Sequence, residues 1–258
     1  MSCKIRFNPK LSKNMTKINI KYNYSLNFSL PKRRENMIKF IIIHYTGMKS
    51  ESIAISRLCD KRKKVSAHYF IRNNGEIINL VPNLYAAWHA GKSRWKKFNS
   101  LNKNSIGIEI HNPGHSHDYK SFSSKQLKSL KFLLKRLIKK YKIDLRNILG
   151  HSDIAPGRKK DPGEKFPWKK LANWNLAIWH KLSEIDLKKA RLKKLNINEE
   201  KFFFKTLNII GYAKISKLKM NYNKKNLTKA FQRRFRQSLI NGIPDKECFL
   251  ISKNLTKK

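Results

Sequence analysis

Met37-Ile38-Lys39-Phe40-Ile41-Ile42-Ile43-His44-Tyr45-Thr46 is a nearly unbroken apolar, β-branched run that ends in a histidine, a tyrosine and a threonine, with Gly47 next. A run of this length without polar alternation predicts a strand buried on both faces, the central strand of a sheet covered by helices. Working outward, residues 51–59 predict a short helix that Ser50 can cap. Residues 65–72 and 76–81 flank Asn73-Asn74-Gly75, turn chemistry that marks a β-hairpin. Residues 104–111 alternate, placing Ile106, Ile108 and Ile110 on one face of a strand and Gly107, Glu109 and His111 on the other. In residues 123–141, Ser123 and Gln126 have capping-box spacing, and Leu127, Leu130, Leu134, Leu137 and Tyr141 recur at helical intervals. Residues 147–150 read as a short buried strand that delivers His151. The expected fold class is α/β, a central mixed β-sheet flanked by helices, with a small all-α C-terminal domain.

The organisation expected around this core is an N-terminal extension at 1–36, a catalytic domain at 37–181, a charged linker at 182–194 and three short helices within 195–258. With 258 residues, 40% hydrophobic and 11% aromatic, the chain can bury a real core. Its 59 Lys+Arg against 16 Asp+Glu give +43. The lysines are spread over the whole chain, which favours a compositional bias over a nucleic-acid footprint. No basic helix with interleaved aromatics points to specific nucleic-acid binding, although so large a charge promotes salt-dependent, non-specific binding to anionic polymers. Cys3, Cys59 and Cys248 are far apart and odd in number, so neither a disulfide framework nor a cysteine zinc site is indicated. No apolar run is long enough for a secretory signal or a transmembrane segment, which leads us to expect cytoplasmic residence, with the periplasm as the alternative.

Catalytic zinc needs three N or O ligands and an open position. His44 stands at the C-terminal end of the central strand, where open α/β sheets present functional groups. His151 opens Gly150-His151-Ser152-Asp153-Ile154-Ala155-Pro156-Gly157-Arg158-Lys159-Lys160-Asp161-Pro162-Gly163, whose Pro156-Gly157 turn can fold the chain back so that Asp161 meets His151. Glu109 can face the same point from a neighbouring strand. A rival set is His111, His115 and His117 in one polar loop, with no evident support behind it.

Ile43-His44-Tyr45-Thr46, Val65-Ser66-Ala67-His68-Tyr69, Ala87-Trp88-His89-Ala90-Gly91, Ser105-Ile106-Gly107-Ile108-Glu109 and the 150–163 string follow one another in a familiar order and spacing. Over residues 37–172 the chain resembles the type-2 N-acetylmuramoyl-L-alanine amidases, relatives of the peptidoglycan recognition proteins. The resemblance implies Zn2+ held by His44, His151 and Asp161, Glu109 as general base and Lys159 as partner of the oxyanion. It implies substrate contacts from Trp88, His89 and Arg158, with Arg158 equally able to hold Asp153. Some relatives carry a catalytic tyrosine where Ala67 stands here, which leaves that role to Glu109. His68 reads as structural rather than as a ligand. Leu227–Phe235 with Asn241-Gly242-Ile243-Pro244-Asp245 resembles the peptidoglycan-binding helical domain often appended to such amidases, with its small-residue pattern degraded. The implied reaction is hydrolysis of the amide between N-acetylmuramic acid, including its 1,6-anhydro form, and L-alanine, with peptidoglycan or muropeptide fragments as partners. A non-catalytic muropeptide-recognition protein is the alternative, and the complete set of ligands disfavours it.

Overall fold

The computed structural model describes residues 18–214 and 220–257. The readings made of Cys3 and of the first half of the N-terminal extension lie outside them. In chain order the elements are β1 (Ile20–Tyr22), β2 (Phe28–Ser29), β3 (Phe40–Tyr45), α1 (Glu51–Cys59), β4 (Tyr69–Ile71), β5 (Ile77–Asn79), β6 (Ala86–Ala87), β7 (Arg94–Trp95) and β8 (Phe98–Asn99). There follow β9 (Ser105–Ile110), α2 (Ser124–Tyr141), β10 (Ile148–Gly150), α3 (His151–Ile154), α4 (Trp168–Asn173), α5 (Glu184–Ala190), α6 (Ile197–Ile210), α7 (Met220–Phe235) and α8 (Lys246–Thr256).

Six strands form the main sheet in the order β1-β5-β4-β9-β3-β10, and two short antiparallel pairs, β2–β6 and β7–β8, lie beside it. The sheet is mixed. Only the β4–β5 hairpin is antiparallel within it, turning at Gly75 as the Asn-Asn-Gly signal predicts. β3 is an interior strand rather than the middle one, one in from the edge strand β10, and is paired in parallel with β9 and β10, which accounts for its continuous apolar run. The edge strand β1 comes from the extension and pairs with β5. The sequence does not announce it, because three residues carry no readable periodicity. Arg33, also in the extension, is buried and donates to the carbonyls of Asn83, Asn102 and Ser105.

Alternation along β3 and β9 assigns each face its work. Ile41 and Ile43 of β3, with Ile106, Ile108 and Ile110 of β9, pack beneath α2 through Leu127, Leu130, Leu134 and Leu137. Helix α2 begins at the expected capping box of Ser123 and Gln126. On the opposite face, Phe40 and Ile42 join Leu149 in a second core whose other members include Phe203, Leu227, Phe231, Phe235 and Ile251 from α6, α7 and α8. The C-terminal helices therefore close one face of the sheet instead of standing off from it. Leu187 of α5, in the stretch read as a linker, is buried in the same core. Two residues beyond Ile42 on that face comes His44. Among the described residues, no helix is long and apolar enough to cross a membrane.

Candidate metal centre and active site

His44 and Glu109 are directly paired in the β3–β9 register, so the geometry of adjacent parallel strands alone sets them side by side on one face. His151 follows β10, the other neighbour of β3. The chain then turns through Pro156-Gly157 and brings Asp161 back, and Ser152 N–H donates to the Asp161 carbonyl at 2.8 Å, tying the two ends of the turn.

Three ligand-type atoms converge. His44 Nδ1 lies 3.0 Å from His151 Nδ1 and 3.0 Å from Asp161 Oδ2, and His151 Nδ1 lies 3.1 Å from the same oxygen. Tetrahedral coordination at the usual zinc bond lengths implies ligand-to-ligand edges of about 3.3 Å. Among the described residues this is the group of three metal-ligating side chains that the fold assembles. His111, His115 and His117 do not converge with one another: His111 lies 3.1 Å from Asn73 Oδ1, and His115 lies between Tyr45 and Glu164.

The hydrogen bonds behind the imidazoles decide which nitrogens are bare. Ser105 Oγ donates to the Leu101 carbonyl at 2.7 Å, so it accepts from His89 Nε2 at 3.1 Å. With its proton on Nε2, His89 accepts at Nδ1 from His44 Nε2, 3.0 Å away. His44 Nδ1 is thereby left with a free lone pair. His151 Nε2 faces the Ala90 carbonyl at 3.1 Å, with Arg158 Nη2 at 3.3 Å beside it; donation to that carbonyl places the proton on Nε2 and frees Nδ1 again. Two imidazole lone pairs and a carboxylate thus face one another across about 3 Å, an arrangement that calls for a cation between them. Burial, with the charge of His151 second, pushes His44 down to about 4, so it is neutral at physiological pH. Burial raises Asp161, but the two histidines outweigh it and hold the carboxyl far below its ordinary range.

Glu109 faces the same cleft, a cavity of about 420 Å³ that Lys159 and Arg158 also line. Its Oε2 is buried with no hydrogen-bond partner among the described residues. Burial, then the charge of Asp161, raises Glu109 well above the usual carboxylate range, while Lys159 pulls the other way. Lys159 is half-buried, and its neighbour Lys160 is exposed at the rim.

The residues expected to contact substrate are dispersed. His89 lines the cleft but is only 6% exposed and is held between His44 and Ser105, so it also supports His44 from behind. Gly107 makes room for it: a Cβ there would lie 2.4 Å from His89 Cγ. Trp88 donates its indole N–H to Ser29 Oγ and, among the described residues, does not line the cleft. Arg158 does, donating to the carbonyls of Ala90 and Lys92. It does not hold Asp153, which instead belongs to Tyr212 and Arg234. His68 is buried, accepting the Gly107 N–H at Nδ1 and donating from Nε2 to the Tyr85 carbonyl.

Sequence reasoning missed Tyr45, which lines the cleft and donates to His115 Nδ1 at 2.8 Å, while His115 Nε2 meets Glu164 at 3.0 Å. It also missed the Ser105 hydroxyl. Both stand within quoted motifs, but only the folded chain shows where they point.

Residues 33–164 match the family model described as N-acetylmuramoyl-L-alanine amidase. The amidase AmiD of Escherichia coli is 34% identical over 233 residues, covering 86% of this chain and 83% of AmiD. The 1,6-anhydro-N-acetylmuramyl-L-alanine amidase AmpD of the same organism is 41% identical over 105 residues, covering 41% of this chain and 55% of AmpD. The solved structure of E. coli AmiD, in complex with the substrate anhydro-N-acetylmuramic acid-L-Ala-D-γ-Glu-L-Lys, superposes with a TM-score of 0.77 at 32% identity, covering 88% of this chain and 91% of that one. A family match over half the chain and a relative matched over 86% of it agree with the site on the sheet face, and the chain belongs to the N-acetylmuramoyl-L-alanine amidase family.

Proposed function

We propose that this amidase holds a zinc ion on His44 Nδ1, His151 Nδ1 and Asp161, uses Glu109 as its proton carrier, and uses Lys159 to stabilise the developing oxyanion. The observation that carries the reading is the set of two bare imidazole lone pairs and one carboxylate at 3.0–3.1 Å spacing. Two imidazole nitrogens and a carboxylate oxygen are N and O donors that suit zinc. Zinc, when bound, supplies Lewis acidity, lowering the pKa of water from about 15.7 towards 7 and polarising a carbonyl.

The remaining work falls to the chain. Glu109 takes the proton of the attacking water at its carboxylate and returns it to the leaving nitrogen of L-alanine. Burial raises Glu109 and favours that return, because a carboxyl with a raised pKa holds the proton between the two transfers. Lys159 stands across the cleft as a fixed positive charge, where removal of one such donor in other enzymes costs roughly 10²–10³ in rate. His89 and Ser105 keep His44 in one tautomer throughout. Arg158, whose fork is already spent partly on two backbone carbonyls, shapes the cleft wall and offers its remaining donors to a peptide carboxylate.

The 1,6-anhydro muropeptide is the substrate form we favour, supported by the anhydro-sugar substrate bound to AmiD and by the 1,6-anhydro sugar in the name of AmpD. We assign catalysis to residues 37–181, with 195–258 as a helical unit packed against it. Cytoplasmic residence remains our reading of the compartment, and recovery of the native protein in the periplasm would overturn it. The deciding experiment is mass spectrometry of anhydro-muropeptides and of intact peptidoglycan after incubation with zinc-loaded protein, with Glu109→Ala as control. Release of free stem peptide by the native protein alone is expected, with the anhydro-muropeptide cut faster. Absence of cleavage with zinc bound would turn the reading to recognition without catalysis.

A further inference from the structure

Asp153 sits two residues beyond His151 and is 1% exposed. A buried carboxylate needs its charge matched and its lone pairs filled. One partner is local: the Gly150 N–H donates to Asp153 Oδ2 at 2.8 Å, which sets the backbone immediately before His151. The others come from the C-terminal helices. Tyr212 O–H donates to Oδ1 at 2.7 Å, and Arg234 Nη1 donates to Oδ2 at 2.7 Å. Arg234, 2% exposed, also donates from Nη2 to the Ile148 carbonyl at 2.8 Å, so one guanidinium spans the strand that leads into His151 and the helix that begins with it.

The contact continues along α7. Gly157, at the turn between the two expected ligands, lies against Tyr222 and Asn226, where a Cβ would meet them at 3.6–3.8 Å. Gln237, just past the end of α7, donates to the Phe166 carbonyl at 2.6 Å. From Tyr222 to Gln237 the helix and its end therefore run beside the segment 148–166 that supplies His151 and Asp161. A helix serving only to cover apolar surface has no need of a buried guanidinium aimed at the cap of a ligand-bearing turn.

We infer that α7 is part of the machinery that positions the metal centre, with Arg234 acting as a positioning residue on His151 through Asp153 and the Gly150 N–H. The inference rests on the assignment of His44, His151 and Asp161 as zinc ligands. It gives the C-terminal helices a role in this amidase whether or not they bind glycan.

The test measures zinc affinity of the whole chain by competition with a chromogenic chelator, alongside kcat, KM and the melting temperature. Arg234→Met should weaken zinc binding by roughly tenfold or more, the scale seen when groups supporting a metal ligand are removed. It should lower kcat more than it raises KM. Arg234→Lys should restore part of the loss, since the ammonium keeps the charge but not the second hydrogen bond. Tyr212→Phe keeps the shape and removes one hydrogen bond, giving a smaller shift in the same direction even if Arg234→Met does not fold. The control is Leu134→Ala in α2, a fully buried core residue on the sheet face opposite α7. It should lower the melting temperature and leave zinc affinity as in the parent.

If Arg234→Met and Tyr212→Phe lower only the melting temperature while His151→Ala abolishes zinc binding, the positioning role is wrong and the ligand assignment stands. If zinc binding survives His151→Ala undiminished, the ligand assignment fails and takes the positioning role with it.

Discussion

The two faces of the central sheet carry the same strands and obey different rules. Beneath α2, Ile41, Ile43, Ile106, Ile108 and Ile110 meet a helix that follows within the same stretch of chain, in an apolar core. On the other face Phe40, Ile42, His44, Gly107 and Glu109 alternate with those isoleucines, yet they meet partners drawn from residues 89 to 251. One face uses sequence position to bury area. The other uses it to juxtapose groups that would be costly to bury singly, and each is made tolerable by a partner from elsewhere. The difference predicts that changes beneath α2 act on stability, whereas changes on the opposite face act on metal binding and rate as well.

The largest effect expected comes from Glu109→Gln, which keeps the shape and removes the proton carrier. kcat should fall by about 10²–10⁴-fold, the range for loss of a general base, with zinc still bound on chelator competition. A variant that keeps its rate would remove Glu109 from the reaction. Leu134→Ala on the α2 face should destabilise the fold by about 2–5 kcal/mol in urea unfolding, as cavity-forming core substitutions do. Its zinc affinity should equal that of the parent at temperatures where both are folded, and a parallel loss of zinc would erase the contrast between the faces.

Gly107→Ala and Ile108→Val test neighbouring residues of one strand that point opposite ways. The added methyl at Gly107 must displace the His89 ring, freeing His44 from its fixed tautomer, and zinc affinity should drop roughly tenfold or more. Ile108→Val should cost about 1 kcal/mol and no affinity. The last effect concerns acid. Burial, with the neighbouring Arg33 charge second, holds His68 well below its ordinary pKa. The unfolded chain takes up a proton near pH 6.5 that the folded chain refuses, so stability is full above that pH and falls as the pH drops below it. The slope from this one group approaches about 1.4 kcal/mol per pH unit. Urea midpoints between pH 7.5 and 5 should therefore fall more shallowly for His68→Gln than for the parent, and equal slopes would rule His68 out as the source.

How much of this was legible beforehand follows from how local each signal is. β3, β9, α1 and α2 were readable because hydrophobic period, a capping box and the Asn-Asn-Gly turn are properties of a few consecutive residues. The three short helices expected within 195–258 correspond to α6, α7 and α8 for the same reason. β1 escaped because an edge strand of three residues is defined by its partner β5 rather than by its own pattern.

His44, Glu109, His151 and Asp161 were named from residue type, spacing and resemblance, and the fold brings all four to one cleft. His89 and Trp88 were expected at the substrate. Hydrogen bonding to His44 makes His89 its support while His89 also lines the cleft, and hydrogen bonding to Ser29 holds Trp88 away from it. The chain's own alternation determined which residues share a face, because the direction of a Cβ in a strand is fixed by parity. Only the tertiary structure decided which imidazole nitrogen is bare and which distant arginine steadies the turn that carries it. Those outcomes depend on Ser105 Oγ, the Ala90 carbonyl and Arg234 meeting their targets across 16, 61 and 81 residues. No local pattern encodes a hydrogen bond of that span.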